Sequence, residues 1–438
     1  MTSSANNSTE LNTTTFQDVT CAGCACLCDD LKVTVTDNRV VQIEPACELA
    51  KIHFNCDHHF ETSCLINGHH ATVEEGIAHA AKLIEQSNAL LMCGLGETTT
   101  ETQRAIADLA DVAGAYLDGT NPAFADPTGV VSQTTGYITA SLGEIRHRAD
   151  AILFWGTDPA ITHPRHFERY SIDAPGKFLD PSKPRTVLAI DSETTATSKR
   201  AQQFVKLSPE NNLIVLQTLL ALARDNKIDA AAVESQTGVS LETIQSIHTQ
   251  MSQANYAAFI IGKRFTGNAN GQACFELLAD YVRELNRTNR AIISLNRAGP
   301  NWVGAANVIA WRTGYPRGVN LAAGYPQYDP ENNTTAALLQ QKRVDAALYF
   351  TGDWTHGLCT AAREHLHTVP QIVLSNHQTK TVPKNGVLFQ VARPGVETTG
   401  TMYRMDEVSL PLKQVRTTEL PDAGAIIQAL YKLAKDTN

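Results

Sequence analysis

The chain carries its most reactive side chains close together near the start, in Cys21-Ala-Gly-Cys24-Ala-Cys26-Leu-Cys28-Asp29-Asp30, with Cys47 nineteen positions after Cys28. Two residues separate Cys21 from Cys24 and three separate Cys24 from Cys28, so one short loop can aim three thiolates at a point while a fourth returns later. Four soft ligands converging in this way are what a 4Fe-4S cubane requires. Gly23 would let the backbone pass close to inorganic sulfide. A zinc knuckle, or plain cytosolic thiols, are the competing readings, since structural zinc more often shows two separated Cys-x-x-Cys pairs and an ordinary Cys is a small buried hydrophobe. A zinc site built from Cys56 with His58 or His59, with His53 nearby, also stays open. Cys26 takes no role in either metal reading.

A second set of candidates lies just after short apolar runs. Ala151–Trp155 is followed by Gly156, Thr157 and Asp158; Thr186–Ile190 by Asp191 and Thr195; Ala346–Phe350 by Gly352 and Asp353; and Ile372–Leu374 by Asn376 and Thr379. In open α/β sheets ligands sit beyond the carboxyl ends of strands, where hydroxyls, amides and backbone donors suit phosphate, ribose and purine edges. The same residue types are default loop residues, so the recurrence of the theme in two halves carries more weight than any one site.

The elements that must position these residues read as α/β. Leu31 to Ile43 alternates like a hairpin turned at Asp37-Asn38, which would carry Cys47 back to the cysteine loop. Ala89–Gly96, Ala151–Gly156, Thr186–Ile190, Ala257–Gly262, Ala291–Leu295, Ala346–Phe350 and Ile372–Leu374 are uninterrupted apolar runs, the mark of parallel strands buried on both faces. Helical periodicity marks Val73–Ile84, Thr100–Ala113, Asn211–Arg224 and Gln272–Leu285 as their crossovers. The expected organisation is a disordered tail over 1–14, an iron-sulfur-type β segment over 15–64, a doubly wound Rossmann-like module over 65–240, and a second module over 241–438 with a cofactor-type C-terminal segment. The module boundary is expected between Asn226 and Ala254. The segment Trp302–Tyr328, rich in Gly, Pro, Tyr and Asn, reads as a lid, a ligand-facing loop or a contact between subunits.

The 438 residues are 43% hydrophobic and 18% charged, with a net charge of −9, which describes an ordinary globular protein and argues against a nucleic-acid footprint. No run is apolar and long enough to span a bilayer, and the first residues have neither a basic start nor an apolar segment, so a cytoplasmic protein with no membrane partner is expected. In that setting the ten cysteines suggest metal or free thiols rather than disulfides.

These strings together resemble the molybdopterin oxidoreductases, and within them the family formed by the B subunit of formylmethanofuran dehydrogenase. The resemblance runs from about Phe16 to near the C-terminus. It rests on the segment Cys21–Asp30 with Cys47, on Ala149–His166, on Thr313–Asn320 and on Gly395–Asp406. It implies a 4Fe-4S cluster on Cys21, Cys24, Cys28 and Cys47, and a molybdenum or tungsten held by two pterin guanine dinucleotides near Gly156, Thr157, Asp158, Asp191, Thr195, Gly352, Asp353, Asn376 and Thr379. It also implies reduction of carbon dioxide to formate, with His163 and Arg165 assisting proton transfer and carbon dioxide binding in an active member. The implied partners are the other members of the complex: an amidohydrolase-like A subunit, a formyltransferase-like subunit, plus the C subunit.

One departure matters most. The family's metal-ligating Cys or selenocysteine should fall within Leu117–Thr128, which contains no Cys; by position the ligand is replaced by Phe124. A phenyl ring offers a metal no lone pair. The chain therefore resembles the bacterial branch in which the complex is a formyltransferase/hydrolase of methanofuran- and tetrahydromethanopterin-linked one-carbon metabolism, and the B subunit serves as a scaffold. The alternative is an active tungsten or molybdenum formylmethanofuran dehydrogenase in which Asp126 or solvent replaces the Cys. For His163 and Arg165, capping of loops or pairing with carboxylates stands beside the catalytic role. Arg404 reads either as a phosphate grip or as an ordinary ion pair.

Overall fold

The structure is a computed structural model that describes residues 12–437, apart from 56–62, 120–126, 298, 378, 380 and 381. Phe124 and Asp126, the Cys56, His58 and His59 zinc candidates and most of the expected tail lie outside the described residues. The first sheet is antiparallel, from Thr13–Val19, Leu31–Thr36 and Arg39–Glu44. Asp37 (φ 48°) and Asn38 (φ 62°) turn its hairpin with both central residues left-handed, as the sequence suggests. The first strand begins inside the segment expected to be a tail: Thr13 and Thr14 already pair with Thr36 and Val35. The reason is the β preference of threonine, reinforced by hydroxyl contacts of 2.9 Å between Thr13 and Thr36 and 3.1 Å between Thr15 and Thr34.

A five-stranded sheet, wholly parallel, runs in the order Gln203–Lys206, Thr186–Asp191, Ala151–Trp155, Tyr256–Ile261, Arg290–Leu295. Its side chains alternate between two cores. Leu153, Trp155, Phe259 and Ile261 face the helices Asn212–Ala223, Leu241–Ser252 and Gly271–Leu285. Ile152, Phe154 and Ile260 face the opposite way and share a core with Cys21, Cys26 and Cys28. The cysteine loop is thus seated on one face of a rigid sheet.

The larger sheet has the order Gln327–Tyr328, Val319–Asn320, Tyr116–Leu117, Leu90–Cys93, Ala346–Phe350, Gln371–Ser375, Gly386–Gln390, Cys64–Ile66, His69–His70. Its middle strands are parallel and its outer pairs antiparallel. Helices Val73–Gln86, Thr100–Val112 and Ala423–Thr437 cover one face, while Thr335–Gln340 and Thr360–Thr368 cover the other. The first of these starts where Thr72 and Glu75 cap each other's backbone N–H at 3.1 and 2.9 Å.

The sheets do not divide the chain at one point. The five-stranded sheet draws on both sides of the expected boundary between 226 and 254, and the larger one draws on 64–117 and again on 319–390. Apolar runs reveal which segments are buried strands but not which strands become neighbours. The Trp302–Tyr328 segment also differs from its expected loop form. Trp302–Thr313 is a helix, and Val319–Asn320 with Gln327–Tyr328 closes one edge of the larger sheet. Glycine is needed at Gly304 because the side chain of Asn301 occupies the space a Cβ would fill.

Candidate functional site

The cysteine loop connects the first two strands and is folded on itself by backbone bonds from Cys21 N to Cys28 O (2.8 Å) and from Leu27 N to Cys24 O (3.1 Å). Cys47 returns in extended conformation immediately before helix Glu48–Phe54. Cys21, Cys24, Cys28 and Cys47 all line one small cavity, and Arg165 forms part of its wall. Gly23 permits this closure: a Cβ there would lie 2.8 Å from the Leu49 carbonyl oxygen and 3.3 Å from Cys21 Sγ. The nine described cysteines are free thiols.

Burial pushes the Cys21 thiol well above its ordinary value and the Cys28 thiol to about 12. A hydrogen bond from Cys26 pulls Cys24 down, which gives Cys26 a role that its sequence position did not. Thiols this desolvated are inert unless a metal takes the proton's place. Among the described residues, no group of three or more His, Cys, Asp or Glu closes on a single ion. A zinc site needs its thiolates about 2.3 Å from one point, whereas a cubane takes each thiolate on a different iron. The four-cysteine cavity has the donor set that a cubane takes.

A much larger cavity, about 950 Å³, begins on the other side of Gly23 and Cys24. Gly352, Asn376 and Thr379 line it, as do His53, His163, His377 and Arg393. Arg393, missed by sequence reading, donates to the Asn376 carbonyl (2.8 and 3.1 Å), the His53 carbonyl (2.9 Å) and His377 Nδ1 (3.0 Å). Asn376 Oδ1 is buried with no hydrogen-bond partner among the described residues. His163 Nε2 donates to the Arg297 carbonyl at 2.9 Å, and Nδ1 lies 2.8 Å from the Thr162 hydroxyl. Burial holds His163 down to about 4 and, with Arg393 nearby, His53 to about 3, so both are neutral near pH 7.

The His163 and Arg165 pair is split by the fold. His163 faces the large cavity, while Arg165 turns to the cysteine loop, where both oxygens of Asp30 hold its guanidinium at 2.7 and 2.8 Å and Glu168 takes Nε at 2.5 Å. The expected ligand residues separate in a similar way. Gly352, Asn376 and Thr379 reach the cavity, Asp353 opens a short 3-10 turn beside it, and the remaining five are committed to their neighbours. Thr157 Oγ1 accepts from Asn296 (2.8 Å), Asp158 accepts from the Thr197 backbone and hydroxyl (2.9 and 2.5 Å), and Thr195 N and Oγ1 pair with Ser198 (2.8 and 3.0 Å). Both oxygens of Asp191 bind Arg264, at 2.7 and 2.6 Å. Gly156 is left-handed (φ 62°), and a Cβ there would collide with Phe265 N. Arg404 is a buried ion-pair partner, bidentate to Asp406 at 2.6 and 2.8 Å.

A third cavity, about 310 Å³, lies between helices Thr128–Thr134 and Trp302–Thr313, beside Gly119 and Thr128, which flank the 120–126 segment. Arg297 contributes to its wall and donates to the Met405 carbonyl at 2.9 Å, while its own carbonyl receives His163. Arg297 stands two positions beyond the strand Arg290–Leu295, and that strand-end position was the signal available in the sequence.

No family model matches the chain. It is 29% identical over 435 residues to the B subunit of the tungsten-containing formylmethanofuran dehydrogenase 2 of Methanocaldococcus jannaschii, covering 96% of this chain and 98% of that protein. Its counterpart in Methanococcus maripaludis is 28% identical over 412 residues, covering 91% and 94%. The chain is a homologue of the formylmethanofuran dehydrogenase B subunit.

The fold is that of molybdopterin oxidoreductase-type proteins, as expected from the sequence. The structure of the formyltransferase/hydrolase complex FhcABCD from Methylorubrum extorquens, solved with methylofuran, contains a chain that superposes with a TM-score of 0.71 at 19% identity, covering 85% of this chain and 99% of that one. Acetylene hydratase from Pelobacter acetylenicus superposes with a TM-score of 0.65 at 11% identity, covering 96% and 70%. No helix of the described residues is long and apolar enough to cross a membrane.

Proposed function

We propose that this chain is the B subunit of a formyltransferase/hydrolase complex related to formylmethanofuran dehydrogenase, that it carries a 4Fe-4S cluster, and that it performs no redox catalysis at a thiolate-ligated metal. The observation that carries the proposal is the similarity to the formylmethanofuran dehydrogenase B subunit over 96% of this chain, combined with Phe124 at the position where the resemblance puts the metal-ligating Cys. Cys21, Cys24, Cys28 and Cys47 would hold the cluster, which supplies one-electron transfer when bound. Gly23 keeps the loop open for it, and Arg165 closes the wall. The basic lining of the large cavity and the unpartnered Asn376 Oδ1 fit a phosphate-bearing dinucleotide with hydrogen-bond donors, for which Gly352, Asn376 and Thr379 would be contacts. Gly156, Thr157, Asp158, Asp191 and Thr195 would then support the sheet end from behind. The partners are an amidohydrolase-like A subunit, a formyltransferase-like subunit, plus the C subunit of the same complex, in a cytoplasmic setting.

A second reading, an active tungsten or molybdenum enzyme, is favoured by the tungsten-containing relatives and by the basic cavity. Elemental analysis of the anaerobically purified native complex separates the two. The scaffold reading expects about four irons per chain without molybdenum or tungsten. One molybdenum or tungsten per chain overturns it and makes Asp126 the first ligand to test. If the other subunits stay assembled and hydrolyse the formyl carrier equally well without this chain, the scaffold role fails.

A further inference from the structure

The last two residues of the cysteine loop, Asp29 and Asp30, are gripped by two arginines from the segment that follows the Ala151–Trp155 strand. Arg165 engages both oxygens of Asp30; Arg169 binds Asp29 at 2.7 Å and also reaches Asp30. Glu168 completes the lattice from the same short helix as Arg169, His166–Tyr170.

Counted formally, three carboxylates oppose two guanidiniums, and the lattice would be negative. Its burial reverses that balance at the cavity. The Arg165 and Arg169 side chains are 8% and 13% exposed, whereas Asp29, Asp30 and Glu168 are 40%, 41% and 55% exposed. Solvent screens the carboxylates strongly and the guanidiniums weakly. Arg165 itself lines the four-cysteine cavity, and none of the three carboxylates does. Consistently, Arg169 and Arg165 both act on the Cys28 thiol more strongly than Asp30 does, although burial has the largest effect there.

We infer that Arg165, seconded by Arg169, is a positioning and tuning residue for a cluster in this cavity: it ties the cysteine loop to the sheet and places a weakly screened positive charge against the thiolates, raising the cluster's reduction potential. Asp30 works in the opposite direction, anchoring Arg165 while partly offsetting its charge. The inference rests on the four-thiolate reading of the cysteine cavity. Adding an electron makes a cluster more negative, so a nearby fixed cation favours the reduced state and a nearby fixed anion disfavours it. A merely structural clamp has no such sign.

The test uses the full chain, reconstituted anaerobically with ferrous iron and sulfide and reduced stepwise with dithionite while electron paramagnetic resonance follows the reduced cluster. At the wild-type midpoint, Arg165→Gln is expected to raise the oxidised-to-reduced ratio about tenfold, equivalent to about 59 mV for a one-electron couple. Arg165→Lys, which keeps the charge, should restore most of the wild-type ratio, and Asp30→Asn should move it the other way. If Arg165→Gln fails to hold iron, Arg169→Gln and Asp30→Asn supply the opposed pair. Unchanged potentials in iron-replete variants, or shifts of the same sign from Arg and Asp replacements, overturn the tuning role. Wild-type chain that assembles no cluster overturns the four-thiolate reading instead, and this inference with it.

Discussion

Three buried histidines make this protein sensitive to mild acid in a way that can be worked out residue by residue. Burial holds His163 at about 4 and, with smaller contributions from neighbouring groups, His53 and His166 at about 3, against an ordinary value of 6.5. His166 is enclosed by Phe154, Phe167 and Tyr170, and its Nδ1 meets the Ser171 hydroxyl at 2.9 Å. Below pH 6.5 the unfolded chain takes up protons on these rings and the folded chain does not. Their contribution is therefore fully present above pH 6.5 and is lost as pH falls toward 4 for His163 and toward 3 for the other two. Each ring costs about 1.4 kcal/mol per pH unit in that window, so lowering pH from about 7.5 to about 5.5 removes about 4 kcal/mol. That is a large part of a typical folding stability of about 5–15 kcal/mol. Asp30, held low by Arg165 and Arg169 against the opposing effect of burial, titrates below its ordinary 3.8 and so below this window. Urea unfolding of the full chain at the two pH values measures the loss directly. His166→Phe should reduce the pH-dependent part by about a third. A wild-type loss below about 1 kcal/mol, or an unchanged pH dependence in His166→Phe, would refute the reasoning.

Gly23→Ala puts a methyl group 2.8 Å from the Leu49 carbonyl and against Cys21 Sγ, so it should lower the iron bound per chain after reconstitution while far-UV circular dichroism stays the same. Arg404→Met leaves the buried Asp406 carboxylate with the Leu142 N–H at 2.6 Å but without its cation; the expected destabilisation is about 3–5 kcal/mol, read as a lowered calorimetric Tm.

Much of the scaffold was legible because its strands are uninterrupted apolar runs. Ala151–Trp155 and Tyr256–Ile261 are buried at every position, which only a sheet covered on both faces produces. The Asp37-Asn38 turn was legible for a different reason, since those residues tolerate left-handed backbone. Gly386–Gln390 escaped notice: it is a short run that starts at a left-handed glycine just after Pro383. The Trp302–Thr313 helix was obscured by Gly304 and Asn307, whose fit depends on packing that no local pattern encodes. In the site, the cysteine spacing is local and could be read. Arg393 could not be read as a pattern, because what identifies it is the set of distant backbone carbonyls that hold its guanidinium, whereas Arg297 offered only its place just beyond a strand. The five strand-end residues that turn inward show the converse: polar types at a strand end look the same whether they meet a ligand or bind Thr197, Ser198 or Arg264.

The larger sheet has a consequence for how the chain is made. Leu90–Cys93 lies beside Ala346–Phe350, and the neighbouring Ala89 and Asp345, joined by a 3.0 Å hydrogen bond, are 256 positions apart. At a synthesis rate of roughly 5–20 residues per second, one edge of the Leu90–Cys93 strand waits on the order of 10–50 seconds for its partner. The five-stranded sheet, drawn entirely from 151–295, is complete before that partner emerges. The order of assembly on the ribosome is then the inserted sheet first and the enclosing one last, with an apolar strand edge in need of shelter in between.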